Sequence, residues 1–258
     1  MHKKHKTFYQ RAKSWAATQK LIGHSAFSRF VMMTFVDRLN QITDEFVFKG
    51  GNLLWVYIRT PRATIDLDMV TRTINDHEVV RELLNEACKK RSDEISFSVV
   101  DFTPMERDGT RAAGAIIAYK TNENQANTFE VDIVYDIPTV STWIPSPVGD
   151  GHEIAAVTIE NIIADKLSAC QKFGSGNTRM KDFDDLWRIS KTGLPGIDWQ
   201  ELKKILGNRK IASQLDPAWV TKNMIQSWRN HFRRNLGLPE DLTLLINEVN
   251  AWLKLGWK

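Results

Sequence analysis

The sequence predicts an α/β half followed by a helical half. Three observations carry this prediction. Residues 46–135 contain short runs in which apolar and polar positions alternate, the clearest being Phe129, Val131, Ile133 and Tyr135 set against Glu130 and Asp132. That period is the mark of a half-buried strand. Beyond Val157 the apolar spacing changes to the three-and-four rhythm of helices and keeps it. Between the two lies Pro138 to Gly151, with three prolines and two glycines, the best boundary in the chain. The expected domains are therefore 1–150, α/β with N-terminal helices, and 151–258, helical.

Taken in order, residues 1 to 6 read as a basic tail. Phe8, Ala12, Trp15 and Ala16 mark a short amphipathic helix. Ser25 or Ser28 is a cap candidate for a second helix, which carries Phe27, Phe30, Val31, Phe35 and Leu39. A strand at Phe46 follows. Thr71 to His77 reads as a turn, Glu78 to Lys90 as a helix and Ile95 to Asp101 as a strand. Pro104 to Arg111 reads as a loop, Ala113 to Lys120 as a strand, Thr121 to Asn127 as a polar hairpin loop and Thr128 to Tyr135 as a strand. Helices are expected at about 158–173, 180–191, 198–206, 217–234 and 239–254.

Composition narrows the class. The chain has 258 residues, 42% hydrophobic and 26% charged, as in globular proteins. No apolar run approaches the ~20 residues of a membrane span. The start, MHKKHK, lacks a following apolar stretch, so no export signal and a cytoplasmic location are expected. Cys88 and Cys170 read as reduced core thiols. A net charge of +4 admits a nucleic-acid partner without requiring one.

The chain is organised around Phe46 to Met69. A β-prone run, Phe46 to Lys49, ends at Gly50-Gly51, where the backbone can turn sharply and expose N–H groups. Asn52 reads as the N-cap of a helix through Leu53, Leu54, Trp55 and Val56. A helix start behind a glycine turn is a ready anion site. In the next strand, period 2 places Ala63, Ile65 and Leu67 on one face and Arg62, Thr64, Asp66 and Asp68 on the other. The two aspartates then lie about 7 Å apart at Cα, from a rise of roughly 3.3 Å per residue. Like charges so placed repel unless a cation sits between them. A solvated strand face is the bland reading; a phosphate cradle followed by a metal pair is the functional one.

These residues resemble a known family. GGN, thirteen residues, then Asp66-Leu67-Asp68 looks like the first motif of polymerase-β-like nucleotidyltransferases. The fuller pattern KGGNLL…RATIDLD is similar to the AbiEii/AbiGii toxin branch. The resemblance implies a mixed sheet of the polymerase-β-like type with N-terminal helices, followed by a helical domain. It implies Mg²⁺, as two ions, held by Asp66, Asp68 and a third acid on a neighbouring strand. Asp132 is the natural third acid, and Glu130 on the same face is the alternative. Mg²⁺ takes oxygen ligands and keeps bonds to substrate phosphates. Two such ions about 4 Å apart steady both the attacking and the leaving oxygen.

Later motifs test the resemblance. In IENIIADKLSAC, Lys166 shares a helical stripe with Ile159, Ile162, Ile163 and Cys170. A lysine there is costly unless its head reaches water, an anion or a carboxylate. It reads as a snorkelling side chain or as a phosphate contact, and its loss is expected to leave stability nearly intact. In RMKDFDDLW, Asp182 and Asp185 share a helix face. Asp182 reads as favouring the helix dipole. Asp185 reads as ordering Lys166 by a salt bridge or as a base on the attacking hydroxyl. ENIIADKLSA, a loop, then R-x-KDxxDL look like the third and fourth family motifs.

By motif position, Asp66, Asp68, Lys166 and Asp185 are the catalytic set. Lys49, Gly50, Gly51, Asn52, Arg62 and Thr64 go with the nucleotide. Asn52 stands where Ser or Thr is commoner, and the Phe173–Asn177 insert implies a longer, more mobile loop before Arg179. The resemblance implies an enzyme of a toxin–antitoxin system that takes an NTP as substrate, acts on RNA, chiefly the tRNA 3′ end, and has an antitoxin as partner. The basic residues Lys203, Lys204, Arg209, Lys210, Arg229, Arg233 and Arg234, mixed with Trp219, Trp228 and Trp252, read as a solvated face or an RNA surface. His24, His77, His152 and His231 show no ligand spacing. Two rivals remain: a DxD-type glycosyltransferase, and a nucleotide- or RNA-binding module without catalysis.

Overall fold

A computed structural model describes residues 6–21, 24–60, 64–90, 92, 94–107, 109–149, 151–194, 196–235 and 237–257. The chain forms two compact units. One comprises Met1–Leu53 and Ala63–Val157, the other Leu54–Arg62 and Thr158–Lys258. The division falls after Val157, and it also runs through a helix after Leu53.

The first unit opens with helices α1 (Phe8–Thr18) and α2 (His24–Asn40). Thr7 and Gln10 cap α1 reciprocally, side chain to backbone. Ser25 and Ser28 lie inside α2, so neither is its cap. Then come β1 (Phe46–Lys49), α3 (Gly50–Ile58), β2 (Asp66–Thr71), α4 (His77–Lys89), β3 (Ile95–Arg107), β4 (Thr110–Thr121), β5 (Ala126–Val134), β6 (Ser141–Pro145) and β7 (Glu153–Val157). The strands make one mixed sheet in the order β3-β4-β5-β2-β1-β7-β6.

Prolines explain where the sequence misleads. Pro104 was expected in a loop, yet it pairs with Ala113 inside a long β3–β4 hairpin. The expected boundary, Pro138 to Gly151, contains β6. Both β3 and β6 are edge strands, and an edge tolerates a residue without an N–H. The first strand face is also shifted. β2 begins only at Asp66, and Ile65, expected inside, is 84% exposed.

One face of the sheet is the core. Phe129, Val131, Ile133 and Tyr135 are buried, as the alternation requires. Phe35 of α2 meets Phe97 and Phe129 edge-on at 5.2 and 5.5 Å, an arrangement that adds to plain area burial. Between β2 and β5 the chain passes through α4, β3 and β4, the long crossover that a parallel pair needs.

The second unit is helical after α3: α5 (Ile159–Phe173), α6 (Met180–Lys191), α7 (Trp199–Arg209), α8 (Lys222–Phe232) and α9 (Leu242–Gly256). The expected helix over 217–234 is split. Pro217–Trp219 forms a short 3-10 turn, and Thr221 caps α8 afresh through the Met224 N–H. The α5–α6 loop is tied down by Asn177. Its Oδ1 accepts from the Arg179 N–H at 2.7 Å, and its Nδ2 donates to the Ala169 and Cys170 carbonyls. Arg209 joins α7 to α5 through Asp165 and Asn161 at 2.6 and 2.8 Å. Both cysteines are free, and burial pushes the Cys88 thiol up to about 11. Among the described residues, no helix is long and apolar enough to cross a membrane.

Candidate active site

In the first unit the site is built by strand register. β2 and β5 run parallel with Asp66 beside Glu130 and Asp68 beside Asp132. Residues paired across neighbouring strands share a face. Leu67, Met69, Val131 and Ile133 go into the core, so Asp66, Asp68 and Asp132 stand on the opposite face. All three are half-buried, and each offers a carboxylate oxygen within 4.8 Å of the others. Glu130 is exposed and outside this group. Of the two acids left open by the sequence, Asp132 is the one brought to the pair.

Three half-buried carboxylates at this spacing repel one another unless a cation balances them. Their donors are all hard oxygens, the set that Mg²⁺ takes. The residues therefore fit a divalent ion.

The glycine turn is fitted to this cluster. Gly50 has φ +77°, and a Cβ there would lie 1.9 Å from Asp68 Oδ2. Any side chain at residue 50 collides with the carboxylate and is also strained in its backbone. Lys49 pairs directly with Asp68 across the β1–β2 ladder and so shares its face.

Asn52 differs from expectation. α3 already begins at Gly50, so Asn52 sits in the first turn and is not the cap. Its side chain is fully buried. The amide donates through Nδ2 to the Asp66 carbonyl at 2.6 Å, with Met32 Sδ at 3.8 Å, and its Oδ1 accepts from Arg29 Nε at 3.0 Å. Both amide protons are occupied, so a phosphate contact by residue 52 falls to its backbone N–H. Asn52 fastens the glycine turn to the start of β2. Arg29 is 5% exposed and went unnoticed in the sequence. Its only signal there was a charge within the apolar pattern of α2. Thr64 precedes β2, and its hydroxyl oxygen is buried without a hydrogen-bond partner among the described residues. Arg62 lies outside the described residues.

The second unit brings Lys166, Asp182 and Asp185 together. Lys166 Nζ is 2.9 Å from Asp182 Oδ1 and 2.9 Å from Asp185 Oδ2. Arg179 Nε adds a contact to Asp182 Oδ2 at 3.2 Å. Side-chain exposure is 13% for Lys166, 2% for Asp182 and 0% for Asp185. Asp182 is thus an ion-pair partner rather than only a dipole partner. Burial pulls the Lys166 pKa down, but Asp185 and then Asp182 outweigh it and hold it above the ordinary lysine value. A lysine raised in this way contributes its full stability at neutral pH and loses it only in strong alkali. The expectation that its loss is mild is therefore reversed, because removal takes the shared cation from two buried carboxylates and leaves Asp182 with Arg179. A second knot, unforeseen in the sequence, joins buried Asp184 to Arg188 and to His231 Nε2 at 2.8 Å.

Residues 35–252 match the family model for the nucleotidyl transferase AbiEii toxin of type IV toxin–antitoxin systems. The chain belongs to the AbiEii family. It is accordingly a nucleotidyltransferase, and an antitoxin partner goes with the family. This membership sets aside the glycosyltransferase and non-catalytic readings. No curated protein matches the chain. Two solved structures from Helicobacter pylori share its fold. One is JHP933, with 20% identity, a TM-score of 0.55, and coverage of 91% of this chain and 93% of that one. The other, provisionally named a nucleotidyltransferase, has the same identity and TM-score, with coverage of 91% and 96%.

Two predictions follow from this geometry. Gly50→Ala should keep the fold yet lower nucleotidyl transfer by about 100-fold, the scale of an ångström-sized misplacement; normal turnover by the folded variant would show that Asp68 has room to move. Lys166→Met should cost about 3–5 kcal/mol in chemical denaturation, as for a broken buried pair. Adding Asp185→Asn should cost much less than the sum of the single losses, whereas strict additivity would mean that the two residues are not coupled.

Proposed function

We propose that the protein transfers a nucleotidyl group from an NTP to an RNA hydroxyl, that of a tRNA 3′ end, and releases pyrophosphate. The observation that carries this reading is the convergence of Asp66, Asp68 and Asp132 beside the Gly50 turn. Asp66, Asp68 and Asp132 would hold Mg²⁺, which when bound supplies positive charge to the reacting phosphate. The chain's own residues bind and orient. The first N–H groups of α3, from Gly50 and Gly51 to Asn52, have no partner within their helix and suit the triphosphate. Lys49, on the same sheet face as Asp68, adds positive charge, and we keep Arg62 and Thr64 as nucleotide contacts.

In the reaction the acceptor hydroxyl oxygen bonds to the α-phosphorus as its O–H bond breaks, and the proton passes to solvent. The bond from that phosphorus to the β-phosphate bridge breaks, and pyrophosphate carries the electron pair away. The protein's contribution is position and charge, with no covalent intermediate on a side chain. Lys166 and Asp185 are proposed to support transfer as one ion-paired unit, since each neutralises the other in a buried place. Acting on tRNA implies a cytoplasmic protein, and blocking a tRNA 3′ end would stop translation without a pore or a protease.

The test is incubation with total tRNA, Mg²⁺ and each labelled NTP. Label should appear on RNA with the wild type and fall by several decades with Asp66→Asn or Asp68→Asn, which keep volume and remove charge. Label on protein, or on nothing, would contradict the RNA reading. Induction without the antitoxin should arrest growth with wild type and not with Asp66→Asn at equal protein level. Arrest by both would remove catalysis as the cause.

A further inference from the structure

The polar face of helix α8 is only partly taken up by packing, through His231, which bonds to Asp184 of α6. Ser227, Asn230 and His231 share one face of the helix, and Arg234 follows in the turn just past its end. The helix packs through other positions, Met224 and Trp228, each 1% exposed. The polar stripe instead lines a cleft of ≈ 420 Å³ together with Arg179 and Lys181 at the start of α6. Of the described lining residues, only Met180 is apolar.

Charge decides what the cleft suits. Asp182, Asp184 and Asp185 of α6 are buried. Lys166 holds Asp182 and Asp185, Arg179 also reaches Asp182, and Arg188 holds Asp184. Three cations thus balance three carboxylates. Lys181 and Arg234 are left over, both exposed and neither with a carboxylate partner among the described residues. They put uncompensated positive charge on both sides of the cleft. His231 is fixed there by its bond to Asp184 and by stacking on Trp228 at 5.5 Å. Arg179, the N-cap of α6, makes no side-chain cap bond. Backbone carbonyls serve there instead: the Met180 N–H donates to the Thr178 carbonyl and the Asp182 N–H to the Arg179 carbonyl, both at 3.0 Å, so the charge of the cleft comes from its side chains.

A wall of cations, hydroxyl and amide donors fits phosphate and ribose. A nucleobase needs an aromatic or apolar shelf, and here only Met180 and the His231 ring could offer one among a mostly charged and polar lining. We propose that this cleft of the second unit binds the sugar–phosphate backbone of the RNA acceptor. The inference rests on the RNA reading of function and names a surface for it.

The experiment uses the full chain with Lys181→Glu and Arg234→Glu together. A charge-matched control reverses Lys89 and Lys120, exposed positions of the first unit. Binding of a short labelled single-stranded RNA is measured across a salt series, with NTP binding and thermal midpoint in parallel. Loss of two phosphate contacts should flatten the log–log salt slope by about 1.4, from roughly 0.7 per contact on a single strand. NTP affinity, the midpoint and the control should not move. Restoring positive charge as Lys181→Arg with Arg234→Lys should return most of the slope. An unchanged slope, or a loss of NTP binding in place of RNA binding, would overturn the proposal. If the wild type still labels tRNA while the double variant binds RNA normally, the cleft alone is refuted. If the wild type labels no RNA, the functional reading falls and the cleft proposal with it.

Discussion

The parallel pairing of β2 with β5 is the constraint on which the first unit depends. It sets Asp68 beside Asp132, two residues far apart in sequence. Side-chain direction alternates along a strand, so a slip of one residue would send Asp132 into the core and Val131 or Ile133 out of it. Buried Phe129, Val131 and Ile133 on one strand, and Leu67 and Met69 on the other, make that slip costly. The apolar face therefore holds the carboxylates in place from behind.

The glycine turn and its supports serve the same end. Gly50 leaves the space that the Asp68 carboxylate occupies. Asn52 ties that turn to the Asp66 carbonyl, and Arg29 fixes Asn52 in its rotamer. A buried amide with every proton committed is costly to disturb, since any change leaves a polar group unpaired. In the second unit the same economy holds in another form. Buried aspartates of α6 are each met by a cation from α5, from α6 itself or, for Asp184, also by His231 of α8. Such pairs gain little over an apolar core, but breaking one of them is expensive. They define how the helices of that unit fit.

Much of this was legible in the sequence. The alternation of β5 gave its buried face and so placed Asp132 with the polar residues. The spacing of Asp66 and Asp68, and the stripe holding Lys166, read correctly because period and burial are local properties. Asn52 was misread because Ser, Thr, Asp and Asn before an apolar run usually cap it, while here the glycines themselves enter the helix. Arg29 and His231 were missed because their partners are distant in sequence, and a lone charge carries no label for its partner. Pro104 and the 138–151 segment misled because a proline breaks a central strand but not an edge strand, and edge position is a property of the whole sheet. Ile65 looked buried because the strand was assumed to begin a few residues too early.

Three specific carboxylates, chosen by strand register, form one cluster suited to a divalent ion. The direct measurement is Mn²⁺ binding to the protein without nucleotide, followed by the paramagnetic signal of the ion. Wild type and Glu130→Gln should bind alike, and Asp132→Asn should lose affinity while keeping its thermal midpoint. Equal binding by wild type and Asp132→Asn, or a loss confined to Glu130→Gln, would contradict the account.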